Sequence, residues 1–249
     1  ILLVPFMSCS AKLPVYGLLS SAFFGPWAGL VVFGLYVIGM AAGILSGLLF
    51  KHTLFAGEPA PFVLELPPYR LPTLKNIALH VWEKVKGFLV KAGTLILAMS
   101  VVLWFLQSFG ITSQGLQMVD DAEQSILGAI GSFIAPVFAP LGFGAWQAAV
   151  ALLAGLVAKE AVVSTMMVLY SASDNAMLAS MLPNFFTPLS AYSFLVFTLL
   201  YIPCVSAVAA MRRELGSWKY TLQSMAMQLI TAGVMATLVY QIGRLFGLS

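Results

Sequence analysis

Residues 13–50, LPVYGLLSSAFFGPWAGLVVFGLYVIGMAAGILSGLLF, contain no Asp, Glu, Lys or Arg. The apolar residues fall on every side of a helical projection, so the stretch has no face suited to water. Gly25-Pro26 interrupts it, because proline lacks the amide hydrogen and its ring clashes with the preceding turn. Leu13 to Phe24 therefore forms a piece of about 18 Å at 1.5 Å per residue, too short to cross a hydrocarbon core of about 30 Å alone. Pro26 to Phe50 is long enough to span it.

The rest of the chain repeats this character. Charge-free runs extend over Ala92 to Val119, Gln124 to Ala158, Asn175 to Met211 and Tyr220 to Gly243. Of 249 residues 61% are hydrophobic and 8% charged, against roughly a quarter charged in a soluble domain. These values exclude a water-soluble fold, and runs without apolar/polar alternation exclude a barrel. The fold class is all-α: a polytopic helical membrane protein with broken or re-entrant helices. Expected spans are Ala92 to Phe109, a full-length helix from Trp146 to Leu169, Tyr192 to Met211 and Thr221 to Phe246. Ile126 to Phe143, broken by Pro136 and Pro140, is a short span or a re-entrant piece, and Tyr170 to Ala191 is a loop.

The net charge of +3 is spread over loops and gives no nucleic-acid-binding stripe. It reports orientation instead. The connection from Lys51 to Lys91 and the Arg212 to Lys219 turn carry Lys and Arg and are expected on the cytoplasmic side, with the acidic Gly110 to Ser125 loop (Asp120, Asp121, Glu123) outside. Within the connection, Leu74 to Phe88 sets Leu74, Ile77, Ala78, Val81 and Val85 at helical spacing opposite Lys75, Glu83, Lys84 and Lys86, the pattern of a helix in the headgroup plane. The chain starts at Ile1 with neither an initiator Met nor a signal-peptide pattern, which suggests a processed chain or a piece of a longer one. Gly39, Gly43 and Gly47 recur every four residues and read as close helix packing.

Three places could carry chemistry. Cys9 lies between Pro5 and Pro14, with Lys12 and Met7 nearby. Cys204 follows Pro203, whose missing amide leaves the carbonyl of Leu199 without its helical donor, so a free carbonyl beside a sulfur is a plausible ligand set. These are the only two cysteines; thiolates select borderline or soft metals such as Fe(II), Zn or Cu(I) over Mg or Ca. A small apolar filler role competes with this for each. Glu160 stands near the middle of an expected span, where an acid costs roughly 2.5–3.5 kcal/mol. It must face protein or water, as a cation ligand or gate, or in a structural ion pair with Lys12 or Lys91. Lys159 cannot neutralise it, since adjacent helical residues do not face each other. His52, His80 and the twelve methionines read as ordinary loop and packing residues. No nucleotide-binding or hydrolase motif occurs.

Pro5-Phe6-Met7-Ser8-Cys9-Ser10-Ala11-Lys12-Leu13-Pro14, Ala158-Lys159-Glu160, Tyr201-Ile202-Pro203-Cys204-Val205-Ser206-Ala207 and Phe62-Val63-Leu64-Glu65-Leu66-Pro67-Pro68-Tyr69 together resemble the membrane region of the bacterial ferrous iron transport protein B family. The resemblance implies two gate-like modules, the first at 1–50 and the second around 192–246 within 92–249, joined by the 51–91 connection. It also implies Fe(II) uptake across the inner membrane with Cys9 and Cys204 on the ion path. In that family a cytosolic G domain, absent from this sequence, is thought to couple GTP hydrolysis to transport. Fe(II) is then the substrate, and no cofactor or catalysis is expected of this region. Expected partners are the bilayer, the G domain and a second copy of the chain. Two other readings stay open: a transporter of a small organic solute such as a nucleoside, because gate-like segments occur in other membrane families, and a membrane redox or regulatory protein closing a reversible Cys9–Cys204 disulfide.

Overall fold

The computed structural model describes residues 6–53, 73–91, 94, 97–112, 115–119 and 124–247. Its helices are α1 (Leu13–Phe24), α2 (Ala28–Thr53), α3 (Leu74–Lys91), α4 (Leu97–Ser108), α5 (Ile126–Phe138), α6 (Trp146–Val157), α7 (Ala161–Leu169), α8 (Asn175–Met181), α9 (Pro188–Leu200), α10 (Val205–Leu215) and α11 (Trp218–Leu245). Among the described residues three helical runs are long and apolar enough to cross a membrane: Ser10–Leu49, Pro188–Leu215 and Trp218–Leu245. A fourth is added if Ile126–Leu141 and Trp146–Val157, bent by 103° against each other, count as one broken span. The chain is a polytopic helical membrane protein.

α9 is the axis of the packing. It starts at a reciprocal cap, in which Ser190 N–H donates to Thr187 Oγ1 at 3.2 Å and Thr187 N–H donates to Ser190 Oγ at 2.8 Å. Nearly every residue from Leu189 to Leu200 is buried, against α1, α2 and α11. Its aromatic edge joins Phe194 to Phe143 (5.2 Å between ring centroids), Phe197 to Phe138 (5.3 Å) and Phe197 to Tyr201 (5.4 Å). Ser193 Oγ lies 2.7 Å from the Leu141 carbonyl and 3.0 Å from that of Ala236, tying α9 to the α5–α6 turn and to α11. Such interhelical hydrogen bonds bind helices together where water supplies no hydrophobic drive. The turn itself needs Gly142, at φ +90°, where a Cβ would overlap the Tyr240 ring.

The break at Gly25-Pro26 falls where the sequence places it, with α1 ending at Phe24 and a 3-10 turn over Gly25–Trp27 leading into α2. Gly39 and Gly43 are packing positions: a Cβ on Gly39 would come 2.9 Å from the Phe6 carbonyl oxygen, and one on Gly43 would touch the Phe6 side chain. α3 matches the expected amphipathic helix, and its described side chains are all exposed.

Three expectations need correction. Trp146 to Leu169 is not one helix: α6 stops at Val157, Ala158 is extended (φ −145°, ψ 129°), and α7 begins at Ala161. No proline marks this break; the buried Lys159 has to leave the helix to reach its partners. The loop from Tyr170 to Ala191 contains α8, whose start is fixed by Met177 N–H donating to Asp174 Oδ1 at 2.7 Å. The span ending at Phe109 stops at Ser108 and runs into an antiparallel hairpin, Phe109–Thr112 with Gly115–Met118. Asp120, Asp121, Glu123 and the side chains of His52 and Lys91 lie outside the described residues.

Candidate functional site: a cavity walled by three interrupted helices

Both cysteines stand where a helix begins. Cys9 is extended (φ −94°, ψ 160°) ahead of a 3-10 turn, Ser10–Lys12, that continues as α1. Cys204 is extended (φ −64°, ψ 159°) ahead of α10. Each carbonyl accepts the first turn's amide, Lys12 N–H to Cys9 at 3.1 Å and Ala207 N–H to Cys204 at 2.9 Å. Each cysteine thus holds the N-cap position of its helix, with no hydrogen bond from its side chain to the first-turn amides. Cys204 Sγ also lies 3.2 Å from Ser206 Oγ.

The two sites, far apart in sequence, line one cavity of about 310 Å³ with Met7, Lys12, Lys159, Pro203, Ala207, Ala210, Met211 and Glu214. The non-helical segments before α1, between α6 and α7, and between α9 and α10 supply Cys9, Lys159 and Cys204 respectively. Cys9 is exposed and Cys204 half-buried. Glu214 is at the end of α10, with a side chain 56% exposed and 4.0 Å from Arg213 Nε.

The free carbonyl expected at Leu199 is taken. Lys12 Nζ, only 4% exposed, donates to it at 2.7 Å. One turn further on, Lys159 Nζ, 2% exposed, donates to the Ile202 carbonyl at 2.8 Å and sits 3.1 Å above the centre of the Tyr201 ring. An unpaired buried carbonyl costs about 1–3 kcal/mol and a charged donor makes the stronger kind of hydrogen bond. The two lysines therefore cover two carbonyls, Leu199 and Ile202, at the break that follows α9. Gly155 makes room for this, since a Cβ there would overlap the Tyr201 hydroxyl and Val162. Neither lysine has an acidic partner among the described residues.

Glu160 stands beside Lys159 in the same break but is exposed and does not line the cavity. It makes no ion pair among the described residues, and Lys12, one partner the sequence offers, is committed to Leu199. Among the described residues no three His, Cys, Asp or Glu side chains cluster as a closed metal site. His80 is exposed on α3, 3.9 Å from Glu83. The sequence places Lys12 near Cys9 and Lys159 inside an apolar run, but does not show the carbonyls they bind, and nothing in it sets Glu214 on the cavity wall.

A family model described as the ferrous iron transport protein B C terminus matches residues 32–84, and one described as Gate, nucleoside recognition, matches residues 89–218. The Fe(2+) transporter FeoB of Staphylococcus aureus (strain COL) is 47% identical over 99% of this chain and 36% of the relative. The chain belongs to the ferrous iron transport protein B family. Another family relative, the Fe(2+) transporter FeoB of Methanocaldococcus jannaschii, is 36% identical over 98% of the chain and 37% of its own length. A third, from Porphyromonas gingivalis, is named as a fusion of Fe(2+) transport protein A with the transporter, and is 38% identical over 98% of the chain and 34% of its own length. The chain spans about a third of the length of these curated relatives. No solved structure matches it.

Proposed function

We propose that this chain is the membrane translocation region of a ferrous iron transporter of the bacterial inner membrane, and that Fe(II) passes between Cys9 and Cys204. The observation that carries the reading is that the only two cysteines line one cavity, beside the thioethers of Met7 and Met211. Sulfur donors favour soft and borderline divalent ions over Mg and Ca. Two donors are too few for a resident metal cage, and conduction needs binding weak enough to release the ion.

Glu214 is the acid on the cavity wall, at the basic end of α10 where Arg212 and Arg213 argue for the cytoplasmic side. In the proposed path it receives the ion after the sulfurs. Glu160, one residue from the wall, keeps a secondary part as an exposed carboxylate near the path. The modules at 1–50 and around 192–246 supply one cysteine each, and the 51–91 connection is the coupling surface toward the family's G domain and GTP hydrolysis.

Fe(II) uptake by vesicles containing the full-length transporter tests this. Cys9→Ser and Cys204→Ser should each lower the initial rate about tenfold or more, and full uptake in the double variant would remove the thiols from the path. The description of the model over residues 89–218 favours a second cargo: binding competed by nucleosides and not by metals would assign a nucleoside. A mass-mapped Cys9–Cys204 bridge formed by mild oxidant, with uptake unaffected by either serine, would assign the redox role.

A further inference from the structure

Helix ends that stop inside a membrane protein leave carbonyl oxygens without donors, and such oxygens coordinate hard cations such as Na⁺ and K⁺. The end of α9 has the form of such a site. The carbonyls of Leu199 and Ile202 are both freed by the Tyr201–Cys204 interruption, beside a cavity of about 310 Å³. Each oxygen is nevertheless covered by an ammonium group brought from another interruption, Lys12 at 2.7 Å and Lys159 at 2.8 Å.

The charges around the cavity are unusual for a cation path. Lys12 and Lys159, both buried, line it without an acidic partner among the described residues, and Glu214 lies on its wall 4.0 Å from Arg213 Nε. Both lysines line the same cavity as the two cysteines. A hard monovalent ion reaching the carbonyls of Leu199 and Ile202 finds each already taken by a lysine donor. A soft divalent ion gains sulfur ligands from Cys9 and Cys204 on the same cavity wall.

We propose that Lys12 and Lys159 are a built-in cation substitute: their ammonium groups occupy the carbonyl site of the interrupted helix, deny it to Na⁺ and K⁺, and leave the sulfur donors and the Glu214 carboxylate to an incoming ion. The lysines then set selectivity and prevent leak, while the thiols carry the cargo. In its account of the cargo this rests on the ferrous iron reading, but the seal itself does not.

The test uses the full-length transporter in K⁺-loaded vesicles, with K⁺ efflux followed by a selective electrode and Fe(II) uptake measured on the same preparation. Lys12→Met and Lys159→Met should each raise K⁺ efflux at least tenfold over the wild type, whereas Lys12→Arg, which retains charge and donor, should stay near wild-type efflux. Monodisperse elution in detergent establishes that a variant is folded, and the two Met variants serve independently should one not survive purification. Folded Met variants as tight to K⁺ as the wild type overturn the proposal. Equal leak from Lys12→Arg and Lys12→Met overturns it as well, because charge would then be irrelevant. Wild-type vesicles that seal K⁺ but take up no Fe(II) overturn the iron reading alone.

Discussion

Lys12 at the start of α1 donates its ammonium hydrogen to the carbonyl of Leu199 at the end of α9, at 2.7 Å. Pro203 creates the vacancy and Lys12 fills it, so the two residues are energetically one unit. Lys12→Met alone should destabilise the protein by about 1.5–3 kcal/mol, the range for a hydrogen bond to a charged group. In a Pro203→Ala background, where residue 203 regains an amide and α9 is free to extend by a turn toward it, the same change should do clearly less harm. A double-mutant cycle of unfolding midpoints in detergent measures this coupling, and strict additivity would show that the bond does not depend on the proline.

Replacing sulfur by oxygen should alter preference as well as rate. Wild-type Fe(II) uptake should be inhibited more strongly by Cd(II) and Zn(II) than by Mn(II), following donor softness. In Cys204→Ser the gap between Cd(II) and Mn(II) should narrow severalfold. Competition curves on vesicles read this directly, and an unchanged order with an unchanged gap would place the selecting donors elsewhere.

The two acids can be separated. Glu214 lines the cavity and Glu160 does not, so Glu214→Gln should lower Fe(II) uptake about threefold to tenfold while Glu160→Gln changes it by less than about twofold. The reverse ranking would return Glu160 to the path as a principal ligand.

Gly155 is where Tyr201 and Val162 approach the backbone of α6. Gly155→Ala should displace the Tyr201 ring that lies under Lys159 and cost about 1–3 kcal/mol, the usual range for overpacking. Gly17, with nothing near its Cβ direction, is the control: Gly17→Ala should leave the unfolding midpoint unchanged or higher, because alanine is the better helix former.

Much of this architecture can be read from residue order alone. Missing charge places the spans, and Gly25-Pro26 and Pro203 place two interruptions, because proline acts through local covalent geometry that needs no neighbour. Cys9 and Cys204 are recognisable for the same reason. The break at Ala158–Glu160 is not, since its cause is tertiary: Lys159 departs from the helix toward an oxygen and a ring that belong to residues 202 and 201. Lys12 illustrates the same limit. The sequence shows that Leu199 loses its donor but not that a residue on the opposite side of the chain supplies a replacement. Glu160 stands out in the sequence because a mid-span acid is expensive; that the helix is interrupted at this position is not legible there.

The interruptions also divide long spans into short stiff rods joined by breaks of three or four residues. Because the chain is extended at Tyr201 and Cys204, the direction of α10 is set by the dihedrals of these residues and not by a continuation of α9. The part of the chamber wall that α10 supplies, Ala207, Ala210, Met211 and Glu214, is therefore aimed by a few dihedrals, with no turn of helix distorted to do it.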